Sequence, residues 1–150
     1  MQNLPANCHL RPANIGDIWK IRQLVFSAKL EPTQLRWLNF WVIVCAGEII
    51  ACGQLRSYGE TQELGSLVVA KKWRKQGFGS YLTQHLIQQA TKPLYLECAT
   101  WLVSFYSRLG FVEVSLPDLP PPLKRKFGFT QLITRIFPII SLKIMRYGDC

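Results

Sequence analysis

Carboxylates are scarce in this sequence: 9 Asp and Glu stand against 18 Lys and Arg, giving a formal charge of +9 over 150 residues and a pI near 9.6. That balance attracts anions, and nucleic acid, acidic lipid and a polyphosphate ligand all satisfy it. Histidine is scarcer still. His9 and His85 stand far apart, and no C-x-x-C pair occurs among the five cysteines, so no metal site is expected. Cys8, Cys45, Cys52, Cys98 and Cys150 are odd in number, and three of them lie in apolar strand-like runs; this predicts buried free thiols in a reducing compartment, with no disulfide framework. No uninterrupted apolar run reaches the roughly 18 residues of a membrane span. The opening MQNLPANCHL lacks the basic flank and apolar core of a secretory signal, so a soluble, cytoplasmic protein without a transmembrane segment is expected. Internal repeats and low-complexity tracts are missing too. A hydrophobic content of 49% with 12% aromatics argues against disorder, and the length suits one domain with a real core. Five tryptophans and a basic pI invite a nucleic-acid reading, but no stacking platform of interleaved basic and aromatic residues is visible, so nucleic acid is not an expected partner.

What is present is organised around residues 63–90. ELGSLVV is a β-branched, Gly-bounded run that reads as a buried strand. AKKWRKQGFGS is a basic loop with two glycines, and in YLTQHLIQQA the apolar Leu82, Leu86 and Ala90 recur at helical spacing. A strand, a Gly-rich turn and a helix aim backbone N–H groups and the positive end of a helix dipole at one point, which suits a phosphate. Lys71, Lys72, Arg74 and Lys75 crowd the same turn, and Gly77 and Gly79 let a ligand approach the backbone closely.

Around this centre the chain reads as a mixed α/β (α+β) fold. Cys8 to Arg11 is a short strand, and Asn14-Ile15-Gly16-Asp17 opens a helix that runs to about Ala28. Residues 31–35 suggest a short second helix. Asn39–Val44 and Ile49–Arg56 form a hairpin about Ala46-Gly47-Glu48, and a turn at Tyr58-Gly59-Glu60 leads into the central strand, giving three consecutive antiparallel strands. Leu94–Cys98 is a fifth strand, made parallel to the fourth by the helical crossover. Leu102–Leu109 is a helix ended by Gly110, Phe111–Leu116 a sixth strand and Ile139–Tyr147 a last one. Between them lies a Pro-rich, basic insertion at about 117–138. Four prolines in the six residues from Pro117 to Pro122 predict a stiff extended connection, followed by an irregular amphipathic helix. Walling a substrate cleft, packing in a dimer and lying on an anionic membrane are all open to it, with a structural role favoured.

Arg74-Lys75-Gln76-Gly77-Phe78-Gly79 has the form R-x-x-G-x-G and resembles the acetyl-CoA-binding signature of the GCN5-related N-acetyltransferase (GNAT) family. Val69 and Leu82 match the apolar residues that flank that signature. Phe105-Tyr106-Ser107-Arg108-Leu109-Gly110-Phe111 is similar to the family's F-Y-x-x-L-G-F block, and Leu10-Arg11-Pro12-Ala13 to its opening. The resemblance covers nearly the whole chain and is strongest from Glu63 to Phe111. It implies a largely antiparallel central sheet of six to seven strands flanked by helices, with strands four and five parallel and splayed. It also implies an acetyl-CoA-dependent N-acetyltransferase whose cosubstrate is acetyl-CoA, whose acceptor is the primary amine of a small metabolite or of a protein or peptide, and which uses no metal. Dimers are common among such proteins, so a homodimer is possible.

Transfer of an acetyl group to an amine requires a CoA site, a neutral amine, an oxyanion donor and an acid for the departing thiolate. The resemblance assigns the pyrophosphate to backbone N–H groups of Gln76, Gly77, Phe78, Gly79 and Ser80, with charge from Arg74 and Lys75. Backbone groups of Leu67, Val68 and Val69 take the pantetheine arm, and one near Val69 takes the oxyanion. Tyr106 is the expected acid. Glu63 ranks first as general base, ahead of Glu97 in the neighbouring strand and then His85. Phe26, Leu30 and Leu35 either border the acceptor site or, the favoured reading, fill the core. Ala99 departs from the pattern: it stands where relatives carry an Asn that contacts the CoA arm, leaving that contact to backbone and to neighbours such as Ser104. A non-catalytic acyl-CoA-binding or regulatory module is the alternative function. Basic residues dominate after Pro122, which slightly favours a carboxylate-bearing acceptor.

Overall fold

The computed structural model describes residues 3–30, 33–136 and 141–148. Among the described residues seven strands are present: β1 (Cys8–Pro12), β2 (Phe40–Cys45), β3 (Glu48–Tyr58), β4 (Thr61–Val69), β5 (Leu94–Ala99), β6 (Phe111–Glu113) and β7 (Leu142–Tyr147). The helices are α1 (Ile18–Ser27), α2 (Phe78–Gln89), α3 (Val103–Arg108) and α4 (Pro121–Ile136). Hydrogen bonding orders the strands β1-β2-β3-β4-β5-β7-β6. β1 with β2, β2 with β3, β5 with β7 and β6 with β7 pair antiparallel, whereas β4 and β5 are parallel, in register at Gln62↔Leu94 and Glu63↔Tyr95. This is the mixed, helix-flanked sheet that the crossover pattern predicts.

Contacts group the chain into two compact units, Met1–Arg56 with Leu64–Gln89, and Ser57–Glu63 with Ala90–Cys150. In the first unit, the 3-10 turn Ile15–Asp17 that leads into α1 starts where Asn14 accepts from Gly16 N–H and Asp17 reaches back to Asn14 N–H at 2.8 Å, a reciprocal capping box. Arg11 clamps the same Asp17 with two bonds of 2.7 and 3.1 Å, and this holds the Asp17 carboxyl below the usual carboxylate range despite burial. Ile21, Leu24 and Val25 of α1 pack on Phe40, Val42, Val44, Cys52 and Val68. Alternation along β3 turns Gly53 to the opposite face, where a Cβ would stand only 2.9 Å from the Leu86 Cδ1 of α2. A helix on each face explains why β2 is buried along nearly its whole length.

The second unit has its own core of Tyr95, Leu119, Leu123, Phe127 and Ile144, with Tyr58, Val114 and Leu116 packed against it. On the other face of β5, Tyr106, Phe111 and Tyr147 form a chain of edge-to-face rings. Gly110 ends α3 at φ +103°, and a side chain there would meet the Tyr147 ring at 2.9 Å.

Four expectations need correction. Cys8 and Cys45 are disulfide-bonded, not free; they are cross-strand register partners in β1 and β2, and their separation of 37 residues leaves no local motif to reveal it. Cys52 and Cys98 are free and buried as expected, and Cys150 lies outside the described residues. The prolines before α4 do not form an extended rod. Leu116–Asp118 is a 3-10 turn, and Pro121 and Pro122 occupy the first turn of α4, where a missing N–H leaves no bond unmade. α4 then runs unbroken through Gly128. No helix forms at 33–35; a 3-10 turn at Trp37–Asn39 replaces it, while 31–32 lie outside the described residues. Phe26 and Leu30 are exposed and not core residues, whereas Leu35 packs partly against the core. The expected start of the last strand, like Pro138, falls on 137–140, which lie outside the described residues.

Candidate active site

The turn from β4 to α2 is built within the first unit. Ala70 N–H donates to Ile50 O at 2.8 Å and anchors the end of β4, after which Lys71–Trp73 make one 3-10 turn. Arg74 folds back, its Nε donating to Val69 O at 2.9 Å, so the guanidinium ties the loop to the strand that leads into it. Lys75 at φ +63° and Gly77 at φ +88° reverse the chain, and Phe78, fully buried and edge-on to Trp73, starts α2. The helix thus begins two residues before Ser80, and Gly79 lies inside its first turn, where Thr83 Oγ1 donates to its carbonyl at 2.7 Å. Tyr81 N–H bonds Gly77 O, so the N–H groups of residues 78–80 have no intrahelical acceptor. Lys71, Lys72, Arg74 and Lys75 are all exposed beside the turn, with Lys72 3.6 Å from Glu48. Main-chain donors, a helix N-terminus and exposed cations at one turn make an arrangement that can bind a phosphate-bearing anion.

Leading into this turn, Leu67 and Val68 point to opposite faces. Leu67 lies against Gly53 on the α2 side, and Val68 joins the α1 core. Their side chains pack while their main chain stays at the strand end. Ser66 interrupts the pleat at φ +52°, its hydroxyl within hydrogen-bond distance of Gln54 at 2.9 Å and Arg56 at 3.2 Å.

The second unit gathers charged side chains on one face of β5. Glu63, 5% exposed, receives Lys126 Nζ of α4 at 2.6 Å on Oε1 and by a second contact on Oε2. Glu97 lies two residues beyond Tyr95, the register partner of Glu63, and therefore on the same face. Burial raises its carboxyl to about 6. Hydrogen bonds from Gln131, 3.2 Å away, and from Thr130 oppose that rise, the Glu63 charge adds to it and Lys126 offsets it. Tyr106 is on the other face, where burial first and the neighbouring Cys98 second keep its phenol protonated far above its ordinary range. Tyr106 and Glu63 are therefore separated by the strand.

The acetyltransferase (GNAT) domain model matches residues 36–113, just over half of the chain, spanning both the loop and the Tyr106 block. The chain belongs to the GNAT acetyltransferase family. No functionally curated protein matches the sequence significantly. Solved structures share the fold at low identity. N-acetylglutamate synthase from Neisseria gonorrhoeae, complexed with coenzyme A and N-acetyl-glutamate, is 17% identical with a TM-score of 0.78 over 97% of this chain. This chain spans only 36% of that protein. Rv2747 from Mycobacterium tuberculosis, in complex with CoA, is 18% identical with a TM-score of 0.76, covering 95% of this chain and 99% of its own. A GNAT acetyltransferase from Staphylococcus aureus Mu50 is 18% identical with a TM-score of 0.69, covering 93% and 98%.

Within the GNAT fold, Leu67, Val68, Val69 and residues 74–80 come together at one turn of the first unit, and Glu63 and Tyr106 belong to the second. His85 sits in α2 against Trp41, ring centroids 4.3 Å apart, and burial lowers its pKa, so it is a packed imidazole. Ala99 ends β5, and Ser104 is exposed on α3. Sequence reasoning missed Lys126, Thr130 and Gln131. Their spacing, with Leu123 and Phe127, places them on one helical face, but nothing local pairs that face with β4 and β5. Among the described residues no group of three potential metal ligands occurs, and no helix is long and apolar enough to cross a membrane.

Proposed function

We propose that this GNAT protein is an acetyl-CoA-dependent N-acetyltransferase acting on a primary amine by direct attack. The observation that carries the reading is the β4–α2 turn, in which Arg74 pins the loop to Val69 and Gly77 exposes the first N–H groups of α2. Acetyl-CoA supplies the activated acetyl group. Residues 76–80 hold its pyrophosphate through main-chain N–H groups, Arg74 and Lys75 add charge, and main-chain groups of Leu67 to Val69 take the pantetheine arm and the carbonyl oxygen.

Tyr106 is the proton donor in this proposal: its phenol carries a proton at neutral pH, and burial, which raises its pKa, makes it a weaker donor that gives the proton up only as negative charge builds on the leaving thiolate. Glu63 and Glu97 divide the base role between them by environment. Lys126 neutralises the Glu63 carboxylate, while Glu97, poised at about 6, exchanges a proton near neutral pH. Glu97 therefore moves ahead of Glu63 as the group that takes the proton from the acceptor ammonium. A carboxylate-bearing amine is the favoured acceptor, because the surface carries a net charge of +9 and the N. gonorrhoeae relative holds N-acetyl-glutamate.

The test is release of free CoA from acetyl-CoA in the presence of an amine panel that includes amino acids, polyamines and peptides. Turnover with at least one amine, rising with pH through about 6 and lowered about a hundredfold in Tyr106→Phe, is the expected result. Tight acetyl-CoA binding with no turnover across the panel would instead favour the non-catalytic acyl-CoA module.

A further inference from the structure

α4 has a second apolar face that none of the described residues of its own unit covers. Leu123 and Phe127 are fully buried on the inner side, yet Phe129, Leu132, Ile133 and Ile136 are 66, 51, 41 and 60% exposed. At 100° per residue these four share a stripe on the side opposite Leu123 and Phe127. Arg125 rises within that stripe one turn before Phe129, and Lys124 and Arg135 border it on the Leu132 side; all three cations are exposed. The helix contains no Asp or Glu to neutralise them. Lys126, the remaining cation, points inward to Glu63.

A continuous apolar stripe bordered by unneutralised cations requires a partner that is both apolar and anionic. A second copy of the chain would bring the same three cations face to face, which opposes self-association. A lipid surface asks for nothing more than apolar side chains that reach the acyl boundary and cations that reach the phosphates, with Lys and Arg stems long enough to do both. At 16 residues, α4 is about 24 Å long, shorter than a bilayer core of about 30 Å, so such a helix lies in the plane of the interface.

We propose that the outer face of α4 docks the protein onto an anionic membrane surface, with Phe129, Leu132, Ile133 and Ile136 buried at the acyl boundary and Lys124, Arg125 and Arg135 against lipid phosphates. This goes beyond the acetyltransferase reading and stands independently of it. The inner face of α4 serves the carboxylate cluster, and the outer face serves location.

The experiment is co-sedimentation of the full chain with sucrose-loaded vesicles of equimolar phosphatidylglycerol and phosphatidylcholine, beside pure phosphatidylcholine. Partitioning at least about tenfold stronger to the anionic vesicles, weakening with added salt, is expected. Phe129→Ser with Ile133→Ser lowers that partitioning about tenfold, and Lys124→Gln or Arg125→Gln lowers it about fivefold per charge. These side chains are exposed, so thermal melts of the variants match the wild type. Trp19→Ser on α1, a residue 73% exposed, leaves partitioning unchanged and controls for generic stickiness. The proposal is overturned by no sedimentation with anionic vesicles at low salt, by equal sedimentation of the Phe129/Ile133 double variant, or by an equal loss in Trp19→Ser. A wild-type dimer that becomes monomeric in the double variant, by analytical ultracentrifugation, would also overturn it by assigning the stripe to a second copy.

Discussion

The two units carry candidate functional groups made in opposite ways. In the first unit the β4–α2 turn is main-chain architecture: Gly77 at φ +88°, the N–H groups that open α2, and one side chain, Arg74, that braces them. In the second unit the site is side-chain architecture: Glu63, Glu97, Lys126, Thr130 and Gln131 come from β4, β5 and α4 and meet on one sheet face. A main-chain site tolerates side-chain change and fails when backbone geometry fails. A side-chain cluster fails one charge at a time.

The sharpest way to break the comparison is Gly77→Glu. It places a Cβ at positive φ and a carboxylate where phosphate is expected, and acetyl-CoA affinity should fall by at least about a hundredfold. Calorimetry checks this, and an unchanged affinity would remove the turn from the CoA site. Next in size is Tyr106→Phe, which should lower turnover about a hundredfold with acetyl-CoA affinity intact. Steady-state kinetics beside equilibrium binding separate the two effects, and equal turnover would take Tyr106 out of the acid role.

Lys126→Met sharpens the other side. Removing an ammonium from a buried carboxylate should cost about 2–3 kcal/mol in urea unfolding, below the fully buried figure because the Lys126 side chain is 22% exposed. A cost near zero would mean that the pair is solvated. Glu97 adds a pH signature. Its carboxyl is raised to about 6 from 4.5, so the native state binds a proton more tightly than the unfolded chain. Stability should therefore fall by about 2 kcal/mol as pH rises from about 4.5 through 6, and Glu97→Gln should flatten that slope. The smallest effect is Arg74→Ala, which loosens the brace on Val69 and should weaken acetyl-CoA binding about two- to fivefold in a salt-dependent way.

The same contrast explains what could be read from the sequence. Gly77, Arg74 and the apolar run before them form one continuous stretch of sequence, so local pattern was enough to predict strand, turn and helix. Gly110 after α3 was legible for the same reason. Lys126 meets Glu63 across 63 residues of sequence, and Cys8 meets Cys45 across 37. Neither partnership has a local signature, because both are created by sheet order and by the helix that packs on it. The prolines before α4 misled for a different reason: proline marks both a stiff linker and a helix first turn, and only the following helix separates the two.

Acetyl-CoA binding at the first unit's turn is what the proposed function needs first. Titration calorimetry of acetyl-CoA into the CoA-free protein at moderate salt, with desulfo-CoA and ATP as references, tests it. Saturable binding of acetyl-CoA, matched by desulfo-CoA, poorly matched by ATP and lost in Gly77→Glu, is the predicted result. No saturable binding, or binding that survives Gly77→Glu, would contradict it.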